Sequence, residues 1–283
     1  MKGIRNASAE KIESRACAFL TPKVVRYEKG AISERMETVV QEQMVSLYVN
    51  GEKTRDLVCS PWDVRELVAG ELYLSGAVSD RGQLLSIEVD GEGGTASAWI
   101  RRASSKTGSI RGRVQRSSGA SKVIVGLFEK EGSSQEKESS RPSFVGSDLK
   151  VTPDEVNSGI AMLENKSVLF KRTGGVHSAV LADDAGVVAW FEDVGRHSAV
   201  DKLAGWCFLN EVDASDKMLL FSGRVPREIM LKVIKLGCPV IVSPGAPTAL
   251  SIELAELCGV TLIGFAKRGA FNVYSHAERL VQD

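Results

Sequence analysis

Residues 170–201 read FKRTGGVHSAVLADDAGVVAWFEDVGRHSAVD, and the rest of the chain is organised around this stretch. Two short apolar runs, Ser178–Leu181 and Val187–Phe191, flank Asp183-Asp184-Ala185-Gly186, a composition typical of a β-hairpin. The next segment, Val194–Asn210, predicts a helix. A hairpin that runs directly into a helix would bring polar residues at its ends into one site.

Polar residues stand at both ends of this hairpin, where they are candidates for binding or acid–base chemistry. His177 precedes the first strand, and Glu192, Asp193 and His197 follow the second. Asp201 comes four residues after His197, so on a helix its carboxylate would share a face with the imidazole and could orient it. The alternative is that each is an ordinary hydrogen-bonded polar residue at the end of an element.

The composition indicates a cytoplasmic globular protein and argues against several functional classes. The chain has 283 residues, 43% of them hydrophobic, and 36 basic and 36 acidic residues give it a formal net charge of zero. This balance argues against a bulk binder of nucleic acid or of acidic membranes. The opening residues lack the apolar core of a signal peptide, and no apolar run is long enough to span a bilayer. Five widely spaced cysteines without a CxxC pair suit a reducing compartment and predict no structural metal site.

Changes in sequence pattern divide the chain into four predicted parts. They are a variable segment at 1–37, a smaller α+β domain at 38–103, a Ser-rich loop and linker at 104–150, and an α/β domain at 151–283. In the second part we expect a helix, Trp62–Leu74, that starts from a Ser60 cap. Two hairpins flank it. Their predicted strands are Val39–Val49 with Lys53–Val58, and Leu84–Val89 with Ala96–Ile100.

The last part predicts parallel β-α-β units. A capping signature at Thr152–Glu155 starts a helix, Val156–Asn165, and the hairpin follows it. Short apolar runs then alternate with amphipathic segments, as in a parallel sheet whose strands are joined by helices. The predicted strands are Met218–Phe221, Val240–Val242 and Thr261–Phe265, and the predicted helices are Pro226–Leu236 and Thr248–Cys258.

The residues that follow the three predicted parallel strands indicate a ligand site. In open α/β sheets, ligands bind beyond the carboxyl ends of the strands. Those ends are Ser222-Gly223-Arg224, Ser243–Thr248 and Ala266–Ala270. The first two lead into helix N-termini and basic residues recur in the first and third, so together they predict a cradle for a phosphate or diphosphate. The alternative is that these loops contain Gly, Ser and Pro for structural reasons, and none matches a Walker A or GxGxxG motif.

Several of these segments resemble the formate dehydrogenase accessory family, FdhD. The most specific is EDVGRH at Glu192–His197, followed by Asp201-Lys202. The other matching segments, in the family's order, are Thr173–His177, Ser222–Arg224, Ala246–Thr248, Thr261-Leu262 and Gly264-Phe265. Together with the N-terminal hairpin and helix, the resemblance covers about residues 38–280.

The resemblance implies a fold, a cofactor and partners. The implied fold is a C-terminal, cytidine-deaminase-like mixed sheet with flanking helices beside a smaller N-terminal α+β domain, in a homodimer. The implied role is to receive sulfur as a persulfide from a cysteine desulfurase and pass it to the molybdenum bis(molybdopterin guanine dinucleotide) cofactor for formate dehydrogenase. A guanine nucleotide would act as a partial mimic of that cofactor. The implied binding residues are Phe265, Ala266, Lys267, Arg268, Gly269, Ala270, Ser222, Gly223, Arg224, Ser243, Thr248, His177, Glu192, Asp193, Arg196 and His197.

One departure from the family bears directly on sulfur transfer. The family's CxxC loop falls on Ser118-Gly119-Ala120-Ser121, with Ser118 and Ser121 at the two cysteine positions. A serine hydroxyl cannot carry a persulfide, because sulfur relay depends on a thiolate. Either the carrier site is lost, or another thiol replaces it, or the sequence has been altered.

Three other interpretations stay open. The protein could be a cofactor-binding homologue that has lost sulfurtransferase activity, or a scaffold that docks the dehydrogenase. It could also be a hydrolase or deaminase relative that uses His197 and Glu192 as acid–base groups. The last interpretation is weakened because the sequence offers neither a metal site nor an evident nucleophile to activate water.

Overall fold

The computed structural model describes residues 19–91, 93–101 and 144–282. The positions of the family's CxxC loop, Ser118 and Ser121, lie outside these residues, as do Cys17 and most of the predicted Ser-rich linker. Within the described residues, no helix combines the length and apolar character needed to cross a membrane.

The described chain contains fourteen strands and six α-helices. The strands are β1 (Phe19–Leu20), β2 (Lys23–Glu28), β3 (Ala31–Met36), β4 (Val39–Val40), β5 (Gln43–Val49), β6 (Glu52–Cys59), β7 (Leu84–Val89), β8 (Thr95–Ile100), β9 (His177–Asp183), β10 (Gly186–Asp193), β11 (Met218–Phe221), β12 (Val240–Val242), β13 (Thr261–Lys267) and β14 (Ala270–Val273). The helices are α1 (Val64–Leu74), α2 (Pro153–Lys166), α3 (Val168–Thr173), α4 (Arg196–Asn210), α5 (Arg227–Leu236) and α6 (Ala249–Cys258).

A six-stranded mixed sheet forms the larger half of the molecule, as predicted. Its order is β10-β9-β11-β12-β13-β14, and β11, β12 and β13 run parallel as adjacent strands. Alternate residues of each strand face opposite sides because the side-chain period of a strand is two. Leu219 and Phe221 therefore pack beneath α4, α5 and α6, whereas Met218 and Leu220 pack beneath α2. The sheet is thus flanked by helices on both faces.

The smaller half is a four-stranded sheet in the order β6-β5-β8-β7, with α1 packed on one face. It meets the larger half where α1 crosses α4. Gly70 of α1 and Gly205 of α4 lie at the crossing, and a Cβ on either would overlap backbone atoms of the other helix. Since only glycine leaves room there, these two residues set the distance between the two helices.

The turns and helix ends follow local sequence chemistry. Thr152 caps α2 in a capping box with Glu155, as predicted. Gly237 and Gly259 end α5 and α6 with positive φ angles. Asn50 and Gly51 both have positive φ in the β5–β6 turn, which is the geometry that Asn-Gly favours in a two-residue hairpin.

Several predicted boundaries and one predicted cap were wrong. The strand expected at Val39–Val49 is divided into β4 and β5. Helix α1 begins at Val64, and the preceding Asp63 has a left-handed backbone, so Ser60 does not cap it. The Ser60 hydroxyl instead accepts the Val194 N–H at 3.0 Å. The segment 1–37, predicted only as a variable segment, contains the β2–β3 hairpin.

Candidate functional site

Asp193 is the centre of a buried junction rather than an exposed ligand group. Its carboxylate is fully buried and forms a 2.5 Å ion pair with the equally buried Lys202. It also accepts the Ser60 N–H at 3.0 Å and the Gly195 N–H at 2.8 Å. Because both oxygens have these internal partners, Asp193 fixes the start of α4 against Ser60, which follows β6 in the smaller half.

Glu192 forms a second internal junction beside the first. Its carboxylate accepts the backbone N–H groups of Leu169 and Phe170 at 3.0 and 3.1 Å, at the start of α3, and the Ser178 hydroxyl at 3.3 Å. Burial raises its pKa, and these hydrogen bonds oppose the increase. Trp62 donates to the Glu192 carbonyl at 2.8 Å. The two acids of the EDVGRH run therefore have structural roles, as the alternative interpretation in the sequence analysis allowed.

His177 lies beside Ser222, at the end of β11. Its Nδ1 is 3.4 Å from the Ser222 hydroxyl oxygen, and Ser222 also accepts the Ser178 N–H at 2.8 Å. Burial lowers the pKa of His177, and the nearby Arg196 lowers it further, against an opposing effect from Asp193. The imidazole is thus neutral at physiological pH and can act as a hydrogen-bonding group beside a cation.

The predicted pairing of His197 with Asp201 is wrong. Asp201 forms a 2.5 Å ion pair with Lys232 of α5. Burial raises its pKa to about 6, although Lys232 acts in the opposite direction. Burial, together with Lys232 and Arg196, lowers the pKa of His197 to about 4. Both histidines near the strand ends are therefore uncharged and lie in a cationic neighbourhood.

The first two strand-end loops are bonded directly to each other. The Ser243 hydroxyl, which is fully buried, donates to the Gly223 carbonyl at 2.6 Å and accepts the Gly245 N–H at 2.9 Å. Val225 donates its N–H to the Ala246 carbonyl at 3.1 Å and accepts the Thr248 N–H at 3.2 Å across the same gap. A Cβ on Gly245 would lie 2.8 Å from the Arg224 nitrogen, so the two loops approach as closely as backbones can. Ser243 thus holds the two loops together from the buried side.

The end of β13 is bonded to the loop that follows β12, and the chain then turns away from that loop. Phe265 donates its N–H to the Gly245 carbonyl at 3.2 Å, has a positive φ of 51° and exposes 48% of its surface. Beyond it, Arg268 pairs with Glu164 of α2 at 2.7 Å, and Gly269 donates to the Asn157 side chain at 2.9 Å. The tip of the β13–β14 turn is therefore held along α2.

The two helix N-termini differ in what they can offer an anion. Thr248 and Ser251 close the start of α6 with a reciprocal capping box, so its first-turn donors are partly used. Helix α5 begins after Pro226 and has no side-chain cap. Its first residue, Arg227, has a buried Nε atom without a hydrogen-bond partner. Arg227 is not among the binding residues predicted from the sequence, and its place just after the first strand end was the available signal.

The predicted binding residues thus divide into two groups. Ser222, Arg224, Phe265, Lys267 and Arg196 are exposed or half-buried, as are His177, His197, Thr248, Arg268, Gly269 and Ala270. The remaining five are buried: Glu192, Asp193, Gly223, Ser243 and Ala266. The first group is accessible from solvent, whereas the second is enclosed by the protein.

None of the four cysteine thiols in the described residues is activated as a nucleophile. Cys59, Cys207, Cys238 and Cys258 are all buried. Burial raises the pKa of Cys59 to about 11 and those of Cys207 and Cys238 to about 12, and it also raises that of Cys258. A thiol that stays protonated is a poor nucleophile, so none of these four is suited to accept a persulfide.

A separate cavity lies at the opposite end of the parallel strands from the candidate site. It encloses about 550 Å³ and is lined by residues that include Val151, Met162, Asp184 and Met218. Met218 begins β11, so this cavity lies at the amino end of the parallel strands and outside the candidate site. Among the described residues, no group of three or more His, Cys, Asp and Glu side chains is arranged to hold a metal ion.

The fold and the site define a class: a mixed α/β protein with linked, glycine-containing loops and basic side chains at the carboxyl ends of three parallel strands. The sequence matches the FdhD/NarQ family over residues 40–281, and the chain belongs to this family. A relative from Staphylococcus aureus (strain MRSA252), described as the sulfur carrier protein FdhD, is 34% identical over 262 residues, which are 91% of this chain and 95% of the relative. The protein of the same description from the bovine RF122 / ET3-1 strain is 32% identical over 258 residues, with the same coverage of each chain.

A solved structure shows the same fold. It is the crystal structure of a protein described as a candidate formate dehydrogenase accessory protein from Desulfotalea psychrophila, and it superimposes with a TM-score of 0.74. The match covers 93% of this chain and 100% of that protein, at 24% sequence identity. It confirms the prediction of a large mixed sheet flanked by helices.

Proposed function

We propose that this protein is a formate dehydrogenase accessory protein that binds the molybdenum bis(molybdopterin guanine dinucleotide) cofactor and supports its sulfuration and insertion into the enzyme. Family membership supports the general role, and the relatives' descriptions as sulfur carriers support a role in sulfur handling. In this proposal the protein acts in the cytoplasm as a homodimer, with formate dehydrogenase and a cysteine desulfurase as its partners.

The observation that carries the proposal is the direct linkage of the strand-end loops. Three loops that meet at one edge of a sheet, with an uncapped helix N-terminus behind the first, present backbone donors to an anion. Arg196 and Arg224 add exposed positive charge beside them, and within the described residues neither forms an ion pair that a ligand would have to displace. The exposed ring of Phe265 offers a surface on which a guanine base could stack.

The experiment is a calorimetric titration of the full chain with GDP. We expect saturable binding that weakens by about tenfold or more in Arg224→Glu, because a charge-assisted contact contributes about 1.5–3 kcal/mol. Lys150→Glu is the matched control, since this exposed lysine lies beside the cavity at the amino end of the parallel strands, away from the candidate site. Arg268→Glu should weaken binding less than Arg224→Glu, because Arg268 is already paired with Glu164. Absence of binding at millimolar GDP would contradict the proposal.

A second candidate function is favoured by the state of the thiols. In this version the protein binds the cofactor but no longer carries sulfur, because serines stand at the CxxC positions and the four described cysteines are buried and protonated. Incubation with a cysteine desulfurase and radiolabelled cysteine separates the two versions. Label retained on the protein through a reducible bond favours the carrier, whereas GDP binding without retained label favours the non-carrying homologue.

The scaffold and hydrolase interpretations receive less support from the site. A pure scaffold would dock the dehydrogenase without binding nucleotide, so the same titration distinguishes it. For the hydrolase, Glu192 is 5% exposed and holds the start of α3, which leaves it no access to a substrate water.

A further inference from the structure

The cavity at the amino end of the parallel strands has no role in the proposed function. It encloses about 550 Å³, a size typical of pockets that bind small molecules. Helix α2 forms one wall, and the chain at 149–151, the β9–β10 turn and the start of β11 form the others. Because protein interiors are close-packed, a concave space of this size between secondary-structure elements is a candidate binding site.

The floor of the cavity is apolar. Val151, Ala182 and Met218 are buried members of the core cluster between α2 and the large sheet, and Leu149 and Met162 pack against this cluster. The two methionines have flexible thioether side chains, which adapt to the shape of a bound group. The floor therefore suits the hydrocarbon part of a ligand.

The rim of the cavity carries an excess of negative charge. Among its described lining residues, the one basic side chain is Lys150, whose ammonium group donates to the Glu278 carbonyl at 3.1 Å. The four acidic side chains of the rim are Glu155, Asp183, Asp184 and Asp216. The rim therefore attracts a cation and repels an anion.

Two of these acids share a cation, and two do not. Lys217 pairs with Asp216 at 2.6 Å and lies 4.0 Å from Asp183. In the part of the chain that the structure describes, neither Glu155 nor Asp184 forms an ion pair. Asp184 is also exposed at the tip of the β9–β10 turn, so a ligand can reach its carboxylate without breaking an existing pair.

We propose that this cavity binds an organic amine, which is a molecule with an ammonium group on an apolar body. The ammonium group lies at the rim beside Asp184, and the apolar body covers the floor at Met162 and Met218. A carboxylate or phosphate in the same position meets like charge, so the nucleotide of the proposed function is disfavoured here. The inference does not rest on the proposed function, because the two sites lie at opposite ends of the parallel strands.

The first experiment follows the methionine methyl groups of the full chain by NMR during titration with phenethylamine. The Met162 and Met218 signals should shift and saturate at about millimolar concentration, since a small ligand makes few contacts and its phenyl ring lies beside these methyl groups. Met230, which is buried on the other face of the large sheet, is the internal control and should not respond. Hydrocinnamate has the same phenyl ring and ethylene chain but carries a carboxylate, and it should leave all three signals unchanged.

The second experiment repeats the titration with three variants. Asp184→Asn should weaken phenethylamine binding by about tenfold, because it removes a charge-assisted contact, and asparagine is well tolerated in turns. Asp90→Asn is the matched control: it makes the same change in the β7–β8 turn of the smaller half and should leave binding intact. Ser158→Phe should abolish binding by filling the cavity, and Ser158 is exposed on α2, so the fold tolerates the larger side chain.

Unchanged Met162 and Met218 signals at about ten times the expected concentration overturn the proposal. Equal shifts with the amine and the carboxylate also overturn it, because they would show an apolar site that does not recognise charge, and so does undiminished binding in Asp184→Asn. GDP titration of Ser158→Phe keeps the two proposals separate, since nucleotide binding should survive the filling of this cavity.

Discussion

Replacement of Gly70 by alanine should destabilise the protein, although alanine favours helices. A Cβ built on Gly70 lies 2.6 Å from the Asp201 carbonyl carbon and closer still to its oxygen, and a Cβ on Gly205 lies 2.5 Å from the Gly70 nitrogen. Carbon atoms in contact prefer separations of about 3.5–4.0 Å, so α1 and α4 must separate by roughly 1 Å. The obstacle is backbone, which cannot rotate away as a side chain can.

The magnitude follows from two opposing terms. Overpacking of a rigid contact costs about 3 kcal/mol, at the upper end of its usual range. Alanine gains about 1 kcal/mol over glycine in a helix interior. The net loss is about 2 kcal/mol, which corresponds to a decrease of about 5 °C in the melting temperature for a chain of this size.

Gly159 of α2 provides the matched control, because it gains the same helix propensity. A Cβ there meets a Leu220 methyl group at 2.8 Å, and that flexible side chain can move aside. We therefore expect Gly159→Ala to change stability little, while Gly70→Ala and Gly205→Ala lower the melting temperature and the urea midpoint. A Gly70→Ala variant as stable as Gly159→Ala would show that α1 and α4 do not make this close backbone contact.

Three further predictions concern the charges and thiols. Lys202→Met should lower the free energy of unfolding by about 3–5 kcal/mol in urea titrations, because it leaves the Asp193 carboxylate buried without its cation, and Asp193→Asn in the same chain should recover part of the loss. Burial opposes protonation of His276, but its hydrogen bonds to the Glu256 carbonyl and the Glu278 carboxylate outweigh this and raise its pKa above 6.5. The difference in free energy of unfolding between the wild type and His276→Gln should therefore be largest below pH 6.5 and should decline as the pH rises through the pKa of the folded state. A difference that stays constant across this pH range would contradict the prediction. Finally, the four buried thiols should resist a disulfide reagent at pH 8 in the native protein and react after denaturation, as measured by mass spectrometry; they are Cys59, Cys207, Cys238 and Cys258. Rapid labelling of any of them in the native protein would contradict the burial described.

The sequence was most informative where structure depends on local chemistry. The Asp183–Gly186 turn, the capping box at Thr152 and the glycines after α5 and α6 were predicted because turn and cap residues act within a few positions of themselves. The Ser60 cap was wrong for the opposite reason. Its hydroxyl accepts a hydrogen bond from Val194, which is 134 positions away, and no local pattern indicates such a partner.

The candidate site shows the same division. Position after a strand was enough to select Ser222 and Arg224, whereas Phe265 was implied by the family resemblance, and all three are exposed or half-buried. Residue type could not distinguish them from Ser243 or Asp193, whose side chains are buried and hold the loops in place. The pairing of His197 with Asp201 also failed, because helical spacing permits a contact on one helix but does not exclude a stronger partner, Lys232, on the next.

The sequence alone determined the alternation of strands and helices over residues 218–265, the parallel direction of β11, β12 and β13, and the location of polar loops at their carboxyl ends. These features follow from hydrophobic periodicity and turn chemistry, which act over short distances along the chain. Tertiary structure alone decided the roles of Asp193 and Lys202 and the crossing of α1 and α4 at Gly70 and Gly205. Those outcomes depend on which distant segments meet in a close-packed interior, where a single backbone contact or buried charge selects one arrangement over the others.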